Sequence, residues 1–303
     1  MFKHLLVPLD GSRLAEAALP AAILVSQKSG AKVTLLHVIE RHAPKSVHGN
    51  VHLRTPEEAE AYLRRLAEER FPPGVEVDWH VHRRQTDHLA QSLADHVEEL
   101  DLDLIVMVAH GRRRLEQWLF GTVSQQLLRE NATPVLLVQP DPEASAPAFR
   151  EILVPLDGQP EHEAGLPVAA ELARLFQASL RLLMVVPTRG VLAGEEAATG
   201  QLLPAATSEL LDLAAERGAE YLGGHLRRLE DQGIQAGASL ARGDPVEQIE
   251  LSARQYRADI VVMSTHGAAG TKAFWSGSLG QRLIARLHVA FLLVPAPVAS
   301  AKA

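Results

Sequence analysis

The sequence predicts an α/β fold that is built twice, as two doubly wound, five-stranded parallel-sheet domains in tandem. The chain repeats itself, because LLVPLDG at 5–11 returns as ILVPLDG at 152–158. A second segment, DLIVM at 103–107, returns as DIVVM at 259–263. Short β-branched runs alternate with longer amphipathic segments, which favours parallel strands joined by helices. The run at 104–108 is apolar at successive positions, which is typical of a strand covered on both faces.

The elements of each copy follow from these patterns. In the first copy we predict strands at 3–9, 32–39, 75–82, 103–109 and 134–138. In the second copy we predict strands at 151–156, 179–186, 234–240, 259–264 and 290–294. Helices fill the gaps. One is capped by Ser12 and has an apolar face from Leu14 to Val25, another carries Ala59 to Leu66, and the longest spans 204–232.

The second copy is longer than the first, because the offset between equivalent residues grows by nine along the repeat. We place the extra length in the Gly/Ala-rich stretch at 188–203 and in the longer helix after it. This predicts a loop insertion that leaves the core intact.

A linker is predicted between the copies. Prolines at 140, 142 and 147 among small polar residues give 139–150 the composition of an exposed connection. We therefore expect a first domain at 1–140, a linker at 141–150, a second domain at 151–296 and a flexible tail at 297–303.

Composition excludes several classes of function. The chain of 303 residues has a formal net charge of -7, so nucleic acid is not expected as a partner. The lack of cysteine removes disulfides, thiolate metal sites and cysteine nucleophiles, and it suits a reducing compartment. No apolar window is long enough for a membrane span, and the first residues lack a signal-peptide pattern. We expect a soluble cytoplasmic protein with no membrane partner.

Candidate binding residues follow the first and fourth strands of each copy, which is where open parallel sheets bind ligands. Asp10 and Asp157 end the first strands. Each carboxylate could accept hydrogen bonds from an adenine amino group or a ribose hydroxyl. Asp-Gly turns and helix caps explain the same residues equally well, so both interpretations stay open.

A glycine motif follows the fourth strand with the same spacing in both copies. Nine residues separate Gly111 from Gly121-Thr122, and nine separate Gly267 from Gly277-Ser278. The first glycine lets the backbone approach a ligand closely, and the second lies where the last helix begins. Unpaired amides, the helix dipole and a hydroxyl would converge on one anion, so a phosphate chain could bind without a lysine.

On these motifs the sequence resembles the universal stress protein family, in a tandem two-domain form, over nearly the whole chain. The nucleotide-binding members carry Gly-x2-Gly-x9-Gly-[Ser/Thr] after the fourth strand and an Asp at the end of the first. Both copies depart from this motif at its first glycine, which is Val108 in one and Ser264 in the other. The Ser264 hydroxyl could contact phosphate or ribose, whereas β-branched Val108 would narrow the pocket. Arg112 to Arg114 favour the first site instead, so the ranking of the two sites stays open.

The resemblance implies an adenine nucleotide alpha hydrolase-like, Rossmann-like fold that binds ATP, ADP or AMP, with Mg²⁺ bridging the phosphates. It implies strand residues against the adenine ring, although the residues alone would be assigned to the core. His110 and His266 precede the phosphate glycine in both copies and could contact phosphate or orient a water, and a loop histidine with a purely structural partner stays equally open. The implied nucleotide contacts are Asp10, Val38, Met107, Val108, His110, Gly111, Gly121, Thr122, Val123 and Ser124 in the first copy, and Asp157, Val185, Met263, Ser264, His266, Gly267, Gly277, Ser278 and Leu279 in the second.

We expect a nucleotide-binding stress-response or regulatory protein without fast turnover, and we assign no catalytic residue. One alternative is a slow ATPase or self-phosphorylating protein, in which only His110 or His266 could serve as the base. Another is an interaction module that has lost the ligand in one or both halves, which Val108 favours. The sequence contains neither a P-loop nor a dinucleotide-binding glycine turn, which disfavours P-loop hydrolysis and NAD chemistry.

Several histidines invite a metal-site hypothesis. His42, His48 and His52 lie in one predicted loop, where we expect solvated polar side chains. His80 and His82 share one face of a predicted strand. The second copy has no matching cluster, and metal ligands must meet strict geometry, so we assign no metal site.

Members of the family that the sequence resembles commonly pair two domains through the exposed edge strand nearest the C-terminus, and the resemblance implies 135–138 and 291–294 as these edges. Unpaired edges promote aggregation. We therefore expect these two strands to pair with each other or with a second chain. An intramolecular pseudo-dimer and a homodimer are both compatible with the sequence.

Overall fold

The computed structural model describes residues 2–43, 46–47, 49–109, 126–127, 132–140, 148–192, 194–265 and 279–296. The strands are β1 His4–Pro8, β2 Lys32–Glu40, β3 Ser46–Val47, β4 Asn50–Val51, β5 Val77–Thr86, β6 Leu104–Val108, β7 Val135–Val138, β8 Glu151–Leu156, β9 Ser179–Val186, β10 Ala236–Arg242, β11 Ile260–Thr265 and β12 Ala290–Pro295. The helices are α1 Arg13–Glu16, α2 Leu19–Ser29, α3 Pro56–Arg70, α4 Leu89–Glu99, α5 Gly165–Phe176, α6 Gly194–Leu202, α7 Pro204–Asp231, α8 Pro245–Gln255 and α9 Leu279–Arg286. None of these helices is long and apolar enough to cross a membrane.

Ten of the strands form one sheet in the order β10-β9-β8-β11-β12-β7-β6-β1-β2-β5. Within each half the five strands are parallel, and the first strand lies between the second and the fourth. The strand order therefore reverses beside the first strand, as in doubly wound folds. This confirms the predicted fold class, and all ten predicted strands are present within two residues at their starts and four at their ends.

The two halves join through their last strands. β7 and β12 pair antiparallel, with Leu136 opposite Leu292 and Leu137 opposite Phe291. These four side chains are fully buried. The side-chain amide of Gln139 adds hydrogen bonds of 3.3 Å to the carbonyl oxygens of Ile284 and Leu287 at the end of α9. The expected pairing of the two edge strands is thus found within one chain.

The core is continuous across this junction. Two layers of buried apolar side chains cover the two faces of the sheet, and each layer contains residues from both halves. Phe149, which the sequence places in an exposed linker, is fully buried and packs edge-on against Phe176, with ring centroids 5.2 Å apart. The expectation of an exposed segment is therefore wrong at this position, because the aromatic ring fills a space beside α5.

The first predicted helix is correct at its start and wrong in its continuity. Ser12 caps it as expected, since its hydroxyl accepts a hydrogen bond of 3.1 Å from the Ala15 amide. The helix ends at Glu16, and α2 begins at Leu19. Pro20 explains the break, because proline has no amide hydrogen for the Glu16 carbonyl and its ring would collide with that turn.

The extra length of the second half lies where the sequence places it, but it is helical rather than a loop. Residues 189–191 form a 3₁₀ turn, followed by α6. The next helix, α7, has 28 residues, whereas its counterpart α3 has 15. We call residues 189–213 the insertion.

Phe291→Ala tests whether the junction supports the whole molecule. The side chain is fully buried against the other half, so its loss should lower the free energy of unfolding by about 3–5 kcal/mol. Urea unfolding of wild type and variant measures the change. Leu251→Ala, at an exposed helix position, serves as the control and should shift stability by no more than about 0.5 kcal/mol. A loss below about 1 kcal/mol in Phe291→Ala would contradict the structural role of the junction.

Candidate functional site

The sheet opens at the same place in both halves. β1 and β6 pair only at Leu5–Leu104 and Leu6–Ile105. Beyond that point β1 stays paired with β2 as far as Pro8, and β6 stays paired with β7 as far as Val108. The ladder between β8 and β11 likewise contains only two residue pairs. Each half therefore has a crevice at the carboxyl edge of its sheet, at the point where the strand order reverses.

Asp10 lies at the mouth of the first crevice. It is half-buried, and its Oδ1 accepts a hydrogen bond of 2.8 Å from the Ser12 amide. Gly11 between them has a φ of +88°, and a Cβ there would lie 2.8 Å from Cγ of Leu53. Only glycine fits this turn, because a side chain would be strained and would collide with Leu53. The turn role that the sequence left open for Asp10 is therefore present.

Asp157 holds the equivalent turn of the second half. Its Oδ1 accepts a hydrogen bond of 3.0 Å from the Gln159 amide. Its Oδ2 contacts Nδ1 of His162 at 2.5 Å. Sequence reasoning missed His162, since the first half has Ala15 at the matching position of the repeat. The two Asp residues therefore share a turn geometry, and His162 contacts Asp157 in the second half only, at the position that Ala15 occupies in the first.

Val108 and Ser264 replace the first glycine of the motif, and both face the start of the helix that follows the first strand. The Ser264 hydroxyl accepts a hydrogen bond of 2.8 Å from the Gly165 amide, in the first turn of α5. Val108 is buried in the same apolar cluster as Ala15 and Ala18. Both side chains pack between the sheet and the helices on one face of it.

The strand residues implied at the adenine ring lie in the opposite layer of the core. Val38 and Met107 are buried together there in the first half, and Met263 is buried there in the second, with Val185 partly buried against it. This is the core role that the residues alone predict. Leu279 begins α9 and packs against the same layer.

Ten of the predicted nucleotide contacts lie outside the described residues. They are His110, Gly111, Gly121, Thr122, Val123, Ser124, His266, Gly267, Gly277 and Ser278. The described part of each crevice therefore consists of the strand ends, the Asp turn and the start of the following helix.

Two buried histidines lie behind the Asp10 turn. Nδ1 of His37 contacts the Leu9 carbonyl at 2.7 Å, and its Nε2 has no hydrogen-bond partner among the described residues. Burial lowers the pKa of His37 below its ordinary range. Nε2 of His52 contacts Glu40 at 3.2 Å. The prediction of a solvated His52 is wrong, because the chain returns over the end of the sheet and only 2% of the residue is exposed.

A tyrosine–glutamate pair occurs beside both Asp turns and was not predicted. The Tyr62 hydroxyl donates to Glu16 at 3.1 Å, and the Tyr221 hydroxyl donates to Glu163 at 2.7 Å. Burial and the neighbouring carboxylate raise the pKa of both tyrosines. Each pair ties the long helix of its half to the segment that follows the Asp turn. Only the tertiary contact reveals the pair, since its partners are far apart in sequence.

Three imidazoles meet at the outer edge of the first half. The ring centroids of His80 and His82 on β5 lie 4.9 and 5.0 Å from the ring of His96 on α4. Among the described residues, no group of three or more potential ligands is arranged to hold a metal ion. The second half has Ser239, Ala241 and Ser252 at the equivalent places in the repeat.

The fold and the repeated crevice define a class of protein, namely a tandem doubly wound α/β protein with a ligand-type crevice in each half. The model of the universal stress protein family matches residues 1–139 and again 148–295. The chain therefore belongs to the universal stress protein family, as its motifs indicate.

Some of the similar proteins match only about half of this chain, whereas a solved structure matches nearly all of it. A universal stress protein of Methanocaldococcus jannaschii is 27% identical over 149 residues, which cover 49% of this chain and 84% of the relative. One from Bacillus subtilis is 24% identical over 151 residues, 46% of this chain and 100% of the relative. The crystal structure of a universal stress protein from Archaeoglobus fulgidus matches 97% of this chain and 96% of its own, with a TM-score of 0.67 and 17% identity. This last likeness extends the shared fold to both halves.

Acid should destabilise the histidine cluster. Burial, and then the neighbouring His96, lower the pKa of His80 and His82 below the ordinary value of about 6.5. Below that pH the unfolded chain binds protons that the folded chain excludes, so stability should fall as the pH drops from about 6.5 through the lowered pKa values. The carboxylates of Asp78, Asp95 and Glu99 oppose this effect.

The measurement is urea unfolding at pH 7 and pH 5 of wild type and of the double variant His80→Asn/His82→Asn. The double variant should lose less stability on acidification than wild type. His42→Asn, at an exposed histidine, is the matched control and should follow wild type. Equal acid losses in all three proteins would contradict the assignment.

Ser264→Ala tests the bond between β11 and α5. The substitution leaves the Gly165 amide without its acceptor, so the free energy of unfolding should fall by about 1 kcal/mol. Ser208→Ala removes an exposed helix hydroxyl as a control and should change stability by less than about 0.5 kcal/mol. Thermal unfolding of the two variants gives the comparison, and equal midpoints would refute the role of Ser264.

Proposed function

We propose that this protein is a stress-response or regulatory protein that binds adenine nucleotide, as ATP, ADP or AMP, without fast turnover. One observation carries the proposal: the sheet opens beside the first strand of each half, and an Asp lies at the mouth of each opening. Ligands of doubly wound folds bind at this position. Family membership supports the stress-response role.

Each half would contribute the same set of contacts. Asp10 and Asp157 would accept hydrogen bonds from the adenine amino group or a ribose hydroxyl at the mouth of each crevice. Buried Val38 and Met107 in the first half, and partly buried Val185 with buried Met263 in the second, would form the apolar wall for the base. The glycine motif at 111–122 and 267–278 would bind the phosphates through backbone amides. Mg²⁺ bound with a triphosphate would supply positive charge between phosphate oxygens.

The contacts of the two Asp residues favour binding over turnover. Both Asp residues use Oδ1 to hold a turn amide, so they shape the site in its resting state. A slow ATPase or self-phosphorylating activity would instead require His110 or His266 as the base. Turnover of labelled ATP by wild type and by the variant with both histidines changed to alanine separates these two possibilities.

The alternative of a lost site in the first half rests on Val108. Its side chain is buried with Ala15 and Ala18 in the core, so its volume is accommodated between the sheet and α1. In the second half, the Ser264 hydroxyl accepts a hydrogen bond from the Gly165 amide. These contacts support a site in each half, and the Ser264 O–H can still donate to a phosphate or a ribose oxygen.

The proposal extends to the organisation and location of the chain. We propose domain limits of 1–140 and 151–296 around a linker at 141–150, and the predicted tail at 297–303 lies outside the described residues. The closed β7–β12 junction favours an intramolecular pseudo-dimer, which leaves a homodimer to other surfaces. A cytoplasmic location and the absence of a nucleic-acid partner agree with the charge and the lack of cysteine.

Equilibrium dialysis with ATP and Mg²⁺ tests the binding proposal. Wild type should bind one nucleotide per half. Gly121→Arg should abolish binding in the first half and Gly277→Arg in the second, because a long side chain would occupy the place of the phosphates. The stoichiometry should therefore fall by half in each single variant and to zero in the double variant.

Gly224→Arg is the matched control for these substitutions. It adds the same side chain at a half-buried position of α7, where a Cβ meets nothing within 4 Å, so the stoichiometry should not change. Native mass spectrometry of freshly purified protein would identify any retained nucleotide. Wild-type protein that binds no ATP at millimolar concentration would overturn the proposal.

A further inference from the structure

Exposed apolar side chains concentrate in the insertion of the second half. Leu202 and Leu203 are 80% and 59% exposed, and Leu210 and Leu213 are 66% and 41% exposed. Val191 in the preceding 3₁₀ turn is exposed as well. Among the described residues, the other large exposed apolar side chains are far apart, at Trp79 on β5 and Leu251 on α8. A concentration of this kind marks an interaction surface, whereas single exposed leucines need no explanation.

The geometry of α7 explains why these side chains stay uncovered. A helix of 28 residues is about 42 Å long, whereas the seven residues of β10 span only about 23 Å. Leu222 and Leu229 of α7 belong to the core layer that covers the sheet, and a Cβ on Gly218 of α7 would lie 3.0 Å from Leu240 of β10. Asp212 forms an ion pair of 2.6 Å with Arg242 at the last residue of β10. The part of α7 before Asp212 therefore extends beyond the carboxyl edge of the sheet.

The exposed side of this extension carries a continuous stripe. At 3.6 residues per turn, Ala206, Leu210 and Leu213 fall within about 60° of one another. All three are exposed, and Leu213 lies on the side of α7 opposite to its buried residues, whereas Leu210 lies about 60° from buried Thr207. We call Ala206, Leu210 and Leu213 the leucine stripe.

One border of the leucine stripe is acidic. Glu209, Glu216 and Glu220 project about 20–60° to one side of Leu213, and all three are exposed. None of them forms an ion pair within the part of the chain that the structure describes. Arg217 is also exposed and projects between Leu213 and Leu210 one turn further along α7, so one positive charge lies at the C-terminal end of the stripe. The stripe thus combines apolar contact area with unpaired negative charge.

This charge pattern discriminates between occupants. A second copy packed on the same stripe would bring Glu209 and Glu216 of the two chains together, and like charges at such positions oppose pairing. An anionic lipid surface would be repelled for the same reason. A helix with its own apolar stripe bordered by lysine or arginine would bury the leucines and neutralise the carboxylates.

We propose that the leucine stripe and its acidic border form a docking site for a basic amphipathic helix of a partner protein. The site lies beyond the carboxyl edge of the second half, near the end of the outer strand β10. The first half has no counterpart, since the shorter α3 replaces α7 there. Docking at this site is independent of nucleotide binding, so either proposal can fail without the other.

The test is fluorescence anisotropy with a labelled synthetic probe. The probe is a Leu/Lys amphipathic peptide of about 18 residues, which is long enough to be helical. A twin peptide with glutamate in place of every lysine is the control ligand. The protein should bind the Leu/Lys peptide. It should bind the acidic twin at least about tenfold more weakly, because the glutamates of the twin are repelled by the acidic border.

Two variants separate the apolar and the charged contributions. Leu210→Glu/Leu213→Glu should weaken binding of the Leu/Lys peptide at least about tenfold, because central apolar anchors carry most of the affinity of an interface. Glu209→Lys/Glu216→Lys should reverse the preference between the two peptides. Leu251→Glu has comparable exposure on α8 and should bind like wild type. Circular dichroism of each variant confirms that it is folded.

Three results would overturn the proposal. Equal affinity for both peptides would show that charge does not select the occupant. Unchanged binding by Leu210→Glu/Leu213→Glu would place the peptide elsewhere. Concentration-dependent self-association in analytical ultracentrifugation, lost in the same double variant, would identify a second copy of this chain as the occupant.

Discussion

The antiparallel pairing of β7 with β12 is the contact on which the rest of the structure depends. Without it, each half would expose a fully apolar edge strand, and an edge of that kind recruits another chain. With it, Leu136, Leu137, Phe291 and Leu292 bury one another, and the two core layers continue across both halves. Because the last strands close against each other, the carboxyl edges of both halves and the outer edge strands β5 and β10 remain available.

The two halves share one architecture and have diverged at its surface. Both keep the Asp-Gly turn, the short ladder beside the first strand and a tyrosine–glutamate tie. They differ in what surrounds these features: His37 and His52 lie behind the first turn, whereas His162 contacts Asp157 in the second. A duplicated chain can change one copy while the other keeps the fold, so specific partners and specific ligands could be separated between halves.

Secondary-structure predictions from the sequence were correct where residues close together in the chain determine the structure. The Ser12 cap and the strand at 179–186 follow from short-range chemistry and apolar pattern, and both are found as predicted. The predicted helix through Pro20 failed, because the apolar pattern continues across a residue that cannot continue the hydrogen bonding. The prediction that Phe149 is exposed was wrong, because the composition of a segment gives only its average exposure. A single aromatic side chain within such a segment can still pack in the core.

The sequence by itself determined the doubled α/β architecture, the family and the position of the Asp turns, because apolar periodicity and repeated motifs are local and appear twice. Only the tertiary structure decided which residues meet across long distances in the chain. In the folded chain His52 is buried, the Ser264 hydroxyl accepts a hydrogen bond from the Gly165 amide, and Leu210 is exposed beyond the end of the sheet. Such contacts depend on how helices of unequal length pack on strands of fixed length, and no local pattern encodes that relation.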